Sequence, residues 1–135
     1  MAPVMITCTR VGEKVSIDTV PLHSKLQVGE SMTWQVSNLP PDYSVELCFD
    51  PTGRAPNGLF KNLGPDVVKK SSGSNVEIYG DSFNPPLAFD PIHPLRNLYR
   101  YNIVVRDPKG IVVGSQDPTI DNQGSPPEPA DGGQG

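Results

Sequence analysis

Residues 99–114 constrain the fold more than any other stretch, because they alternate and then turn. In Tyr99-Arg-Tyr-Asn-Ile-Val-Val-Arg-Asp-Pro-Lys-Gly-Ile-Val-Val-Gly114, the side chains of Tyr99, Tyr101, Ile103 and Val105 share one face at the period of two that a pleated strand imposes, and Arg100, Asn102 and Arg106 share the other. Asp107-Pro-Lys-Gly110 supplies the turn: the Asp carboxylate caps nearby backbone, Pro sets φ, and Gly accepts a positive φ. The spacing predicts a β-hairpin, and nothing in it does chemistry.

An all-β chain extends that reading. Sixteen Pro and thirteen Gly punctuate 135 residues that hold four Phe, four Tyr and one Trp, so turns recur at short intervals around a modest core. A chain of this length buries a core as one domain without help from metals or disulfides. Its formal charge of −4 gives no footprint for nucleic acid, which needs clustered Lys and Arg. The first ten residues lack a basic region followed by a sustained apolar run, which reads as neither signal peptide nor membrane anchor. No apolar run reaches the length of a membrane span. A cytoplasmic protein without nucleic-acid or membrane partners is expected.

Period-two alternation predicts strands over residues 4–10 and 14–20, the second with Val15, Ile17 and Thr19 inward. Residues 21–29 read as a linker. Over residues 30–39, Met32, Trp34 and Val36 alternate with Thr33, Gln35 and Ser37, and after a Pro40-Pro-Asp42 turn Val45, Leu47 and Phe49 continue the inward pattern. Residues 51–74 read as turn chemistry, one helical turn over 59–63, and a polar, loose stretch over 69–74. Residues 75–80 resemble a strand. Residues 81–98 contain prolines at 85, 86, 91 and 94, which deny regular pairing, yet carry Phe83, Leu87, Phe89, Ile92, Leu95 and Leu98. That segment must pack on something. Residues 115–120 are expected to extend the last strand across a break at Asp117-Pro118. From Gln123 onward no apolar side chain exceeds Ala or Pro, so the division is a β domain over 1–122 and a flexible, disordered Gly/Pro-rich tail over 123–135.

About seven to eight short strands, the inward Trp34, the Tyr99-to-Val105 hairpin strand and Asp117-Pro-Thr-Ile120 together resemble small bacterial immunoglobulin-like or cupredoxin-like β-sandwich domains, across roughly the first 120 residues. The resemblance implies a single β-sandwich and carries no function with it. Cupredoxins gather a Cys, a His and usually a Met on the loop before the final strand to bind copper. Here that loop is Asp107-Pro-Lys-Gly110, which holds none of them, so a blue-copper site is excluded.

Other chemistry fares no better. Cys8 shares parity with apolar neighbours whereas Cys48 shares a face with Glu46 and Asp50, so a disulfide between them is not expected. The only histidines, His23 and His93, lie in separate linkers, without the close pairs of structural zinc motifs or the arrangement of a Cys-His nucleophile. Asp-Pro steps at Asp50, Asp90, Asp107 and Asp117 read as turn initiators. No catalytic residue, metal or cofactor is expected.

Two surfaces remain. Arg54, Lys61, Lys69 and Lys70 form a basic cluster that is either a solvated loop or a contact for an acidic partner. Segment 81–98 is either a crossover that covers one end of the core or an exposed platform for another protein or a second copy of this chain. The expected function is a non-catalytic protein-binding or assembly module using Phe83, Leu87, Phe89, Ile92 and His93 together with Arg54, Lys61, Lys69 and Lys70. The alternative is a carbohydrate-binding module with Tyr79 and Tyr43 as candidate platforms. Third comes a small enzyme with a pocket joining His93 to Asp90, Glu77 or a cysteine.

Overall fold

The computed structural model describes residues 2–49, 58–73, 75–85 and 89–125. It is all-β, with strands β1 (Val4–Val11), β2 (Lys14–Val20), β3 (His23–Leu26), β4 (Met32–Ser37), β5 (Ser44–Phe49), β6 (Asp66–Lys70), β7 (Val76–Gly80), β8 (Leu98–Arg106), β9 (Val112–Gln116) and β10 (Thr119–Asn122). Among the described residues the only helical element is one 3-10 turn, Pro94–Asn97. No helix among them is long and apolar enough to cross a membrane.

The strands form two mixed sheets. One runs β2-β1-β4-β7 and the other β3-β10-β8-β5-β6, with β9 also paired to β8. β1 lies antiparallel to β2 and parallel to β4. β10 lies antiparallel to β8 and parallel to β3. Alternation assigns the faces as expected: Val4, Ile6 and Cys8 in β1, Met32, Trp34 and Val36 in β4, Val45, Leu47 and Phe49 in β5, and Tyr99, Tyr101, Ile103 and Val105 in β8 are all buried. These residues, from both sheets, belong to one hydrophobic cluster.

Trp34 sits at its centre, fully buried. Its ring packs 5.5 Å from Phe60, 5.9 Å from Phe49 and 6.0 Å from Tyr101, centroid to centroid. Its indole Nε1–H donates to the Tyr101 hydroxyl at 3.1 Å, joining β4 of one sheet to β8 of the other. At another point of contact Gly114 of β9 has no side chain for a reason: a Cβ there would lie 2.3 Å from the Val15 carbonyl oxygen of β2.

The closing hairpin forms as its residues predict. Asp107 Oδ1 accepts from the Lys109 and Ile111 N–H groups at 2.9 and 3.0 Å, the Gly110 N–H donates to the Asp107 carbonyl at 2.9 Å, and Gly110 has φ +85°. Past the turn, the Asp117-Pro118 step divides the last strand into β9 and β10 without a slip in register: Ile103 faces Gln116 before it and Arg100 faces Thr119 after it. The Tyr101 N–H bridges the break, donating to the Pro118 carbonyl at 3.1 Å.

Four expectations need correction. The linker over 21–29 contains β3, whose inward positions are Ser24 and Leu26, so one polar inward residue in four disguises the alternation. The loose stretch over 69–74 begins inside β6, an edge strand bonded only to β5, with Val67 half-buried and the other four residues exposed. Residues 59–63 make a turn closed by the Leu63 N–H on the Phe60 carbonyl at 3.3 Å rather than helix, and Phe60 bridges to Phe83. The tail begins later than 123: the Gln123 N–H donates to the Leu26 carbonyl at 2.7 Å and the Gly124 carbonyl accepts from Val28 N–H at 2.9 Å. Residues 126–135, the rest of that expected tail, lie outside the described residues. The ten strands exceed the expected seven to eight because β3 and β6 were hidden and the last strand is split.

Removing the Tyr101 hydroxyl leaves the Trp34 N–H buried without an acceptor. Tyr101→Phe should therefore destabilise the fold by about 1–3 kcal/mol in urea unfolding, with no change of fold by circular dichroism. An effect within about 0.3 kcal/mol would show that the hydrogen bond contributes nothing net.

Candidate functional site

Segment 81–98 divides into an inward and an outward part. Phe83 is fully buried, its ring between those of Phe60 at 5.7 Å and Tyr99 at 5.9 Å. Backbone bonds hold it there: Phe83 N–H to the Glu30 carbonyl at 2.7 Å, and Gly29 N–H to the Phe83 carbonyl at 2.9 Å. Phe83 is thus a core residue and does not belong to an exposed platform, a correction that the pairing of its backbone with 29–30 explains. Leu87 lies outside the described residues. Beyond it the apolar residues face water: Ile92 and Leu95 are each 79% exposed, Phe89 41% and Leu98 40%.

A polar frame holds them out. The Asn97 side chain, itself buried, accepts from the Asp90 N–H through Oδ1 and donates from Nδ2 to the Asp90 carbonyl, both at 2.8 Å. Asp90 Oδ1 accepts from the N–H groups of Ile92 at 3.0 Å and His93 at 3.1 Å, while Oδ2 meets His93 Nδ1 at 3.0 Å and the Arg96 guanidinium at 3.7 Å. Burial works to raise the Asp90 carboxyl, but hydrogen bonds from the His93 backbone and ring and the Ile92 backbone, with the His93 charge, outweigh it and hold the group below its ordinary 3.8. Phe89 packs on Gly124, where a Cβ would come within 2.8 Å of the Phe89 Cβ. Phe89, Pro94, Leu95, Leu98 and Gln123 line a groove of about 300 Å³.

The basic residues are not gathered with this platform. Lys69 and Lys70 lie on β6, and Lys70 pairs with Ser44, whose other neighbour is Arg106, at the opposite end of β8 from Leu98. Lys70 Nζ stands 3.9 Å from Asp42 with both side chains exposed, a pair of little energetic weight. Lys61 is exposed within the 59–63 turn. Arg54 lies outside the described residues. Of the groups that an enzyme at His93 would recruit, Asp90 is adjacent, whereas Glu77 stands on the other sheet 3.4 Å from Gln35.

Alternation alone does not bring out a second cluster. Glu46 and Cys48 of β5 and Asp66 of β6 hold their ligating atoms within 4.8 Å of one another, a mixed sulfur and oxygen set of the kind that takes a divalent cation. Register puts Cys48 opposite Asp66, which strand periodicity would reveal only once β6 is known to be a strand. The thiol already has partners: burial, then hydrogen bonds and charge from Glu46 and Asp66, push Cys48 up to about 12, so it is protonated at neutral pH and donates to the carboxylates. Glu46 also meets Arg106 Nε at 3.4 Å. Both cysteines are free. Across the molecule, Tyr79 is 49% exposed on the outer face of its sheet, where Met5, Gln35, Ser37, Asn75 and Glu77 line a groove of about 320 Å³. Tyr43 is half-buried beneath the Arg10 guanidinium, 5.9 Å from its ring centre.

Two pH responses follow, of opposite sign. Asp90 is lowered, so its contribution to the frame is present above its ordinary value and lost as pH falls through the lowered one. The amide resonances of Ile92 and His93 should titrate together with a midpoint below 3.8, and a midpoint at or above that value would mean that the frame does not form in solution. Burial raises Cys8 to about 11 and Tyr101 to about 12, and Cys48 stands at about 12, so the native state keeps protons that an unfolded chain releases above 9.0 and 10.0. Stability should fall as pH rises between those limits, read as a declining urea midpoint that Cys8→Ala flattens. No protein-family model matches this chain, and no curated protein matches it.

Proposed function

We propose that this chain is a binding module that docks a protein on Phe89, Ile92, Leu95 and Leu98. The observation that carries this reading is that Ile92 and Leu95 stand exposed on a backbone whose own polar groups are tied by Asp90 and Asn97. Apolar side chains held rigidly outward lose little entropy on binding, which is what an interface anchor requires. Of the two sandwich families that the chain resembles, the cupredoxin-like one fits better. An immunoglobulin-like sheet keeps its first strand at an edge, whereas β1 here lies between β2 and β4. Cytoplasmic residence belongs to the same reading and draws on the two free thiols.

A second reading has one observation in its favour: the half-exposed Tyr79 ring, on the sheet face it shares with its pairing partner Thr33 and with Glu77, offers a stacking face with polar neighbours, the elements of a sugar site. One set of variants separates the two. In affinity capture from the native host, Ile92→Asp with Leu95→Asp should release a partner that Tyr79→Ala and Lys69→Glu retain, with an affinity loss of at least about tenfold. Capture indifferent to the Ile92 and Leu95 changes would overturn the docking reading, and glycan-array binding abolished by Tyr79→Ala would put the sugar site in its place.

A further inference from the structure

We infer that β3 is a displaceable edge strand, which opens from β10 while the rest of the fold stays closed. Its inward face is the least satisfied part of the described structure. Ser24 Oγ and Asn122 Nδ2 are buried, on neighbouring strands, with no hydrogen-bond partner. Each was solvated in the unfolded chain and is not compensated here, so closure of β3 works against two unmade hydrogen bonds. Little offsets them. β3 has four residues and a single neighbour, and of its side chains only Leu26 adds buried apolar surface. Its outward residues, His23 and Lys25, are exposed, and His23 Nδ1 meets only the Thr119 hydroxyl, at 2.7 Å.

β10 does not depend on β3 for its place. It is bonded to β8 through Thr119, Ile120 and Asp121, and Ile120 is fully buried. Opening therefore costs the β3–β10 ladder and the place of Leu26 in the hydrophobic cluster but leaves β8, β10 and the aromatic rings around Trp34 in place, the pattern of a local, sub-global unfolding unit. What it uncovers is specific. The Thr119 N–H, which donates to the Leu22 carbonyl at 3.2 Å, and the Gln123 N–H, which donates to the Leu26 carbonyl at 2.7 Å, become free donors along the edge of β10. That edge ends at Gln123, which lines the groove, and a row of free main-chain donors is what an added strand pairs with. Opening needs no occupant on Ile92 and Leu95, so it is measurable whether or not a protein docks there.

Hydrogen exchange of the full chain, read residue by residue by NMR, tests this. The Thr119 and Gln123 amides should exchange at least 100-fold faster, after correction for intrinsic rates, than the Ile103 and Val105 amides of β8, and their protection should fall little in denaturant that accelerates β8. Ser24→Ala removes one uncompensated hydroxyl and should slow exchange at Thr119 and Gln123 about threefold to tenfold while leaving β8 unchanged. Leu26→Ala, which removes the one apolar contact, should move those two amides in the opposite direction. Protection at Thr119 and Gln123 equal to that of β8, or a Ser24→Ala variant in which they exchange at the wild-type rate or faster, would overturn the inference.

Discussion

The burial of Trp34 between the two sheets, with its indole N–H satisfied by the Tyr101 hydroxyl, is the constraint around which the rest of the core is packed. An indole can be wholly buried only where its N–H finds an acceptor, and a phenol only where its oxygen finds a donor. Here each solves the other's problem across the space between β4 and β8. The rings of Phe49 and Phe60 then pack against Trp34 and each other at tilted and edge-on angles. Because Tyr101 is in the middle of β8, the contact also sets the height of that strand. β5 hangs on one edge of β8, and β9 with β10 on the other.

The candidate site inherits its position from the same strand. β8 begins at Leu98, directly after Asn97, and Asn97 is buried where the 3-10 turn meets the sheet. Prolines at 91 and 94 prevent the preceding residues from joining a ladder, so their backbone groups need side-chain partners instead. Asp90 and Asn97 are those partners: Asn97 bonds the Asp90 backbone, and the Asp90 carboxylate takes the Ile92 and His93 N–H groups that follow it. The segment is therefore ordered without being a strand, and order is obtained with polar side chains, which leaves its apolar ones free to point outward.

Much of this was legible in the residues themselves, and the failures share a cause. Strands buried on one face declared themselves through period two: Val4, Ile6 and Cys8, then Met32, Trp34 and Val36, then the closing hairpin with its Asp107 turn. β3 and β6 did not, because each buries only one or two side chains, too few to set up a recognisable apolar alternation. Ser24 inward in β3 and Val68 outward in β6 even run against the rule. The candidate site was half legible. The apolar content of 81–98 identified the segment, but direction depends on tertiary pairing. Phe83 turns inward because residues 29 and 30, far away in sequence, bond to its backbone. The Glu46, Cys48 and Asp66 cluster needed the β5–β6 register in the same way.

On the docking reading proposed above, the size of the platform constrains the partner. Four partly exposed apolar side chains fall well short of the roughly 800 Å² per partner that a stable protein interface covers, so Ile92 and Leu95 can be only its centre. A partner seated on them must reach further, and the register says where. Leu98 stands beside Asp121, and Asp121 beside Lys25, so the outer face of β8, β10 and β3 continues from the groove as one surface. Its charges alternate in sign, Arg96 and Lys25 against Asp90 and Asp121, which suits a polar rim around an apolar centre and gives no preference for a strongly charged partner. On that reading, shape and the Ile92 and Leu95 anchors, rather than net charge, would select the partner. The strand at the far side of that rim is β3, inferred above to be displaceable, so a partner docked as proposed would bear on the edge most able to move.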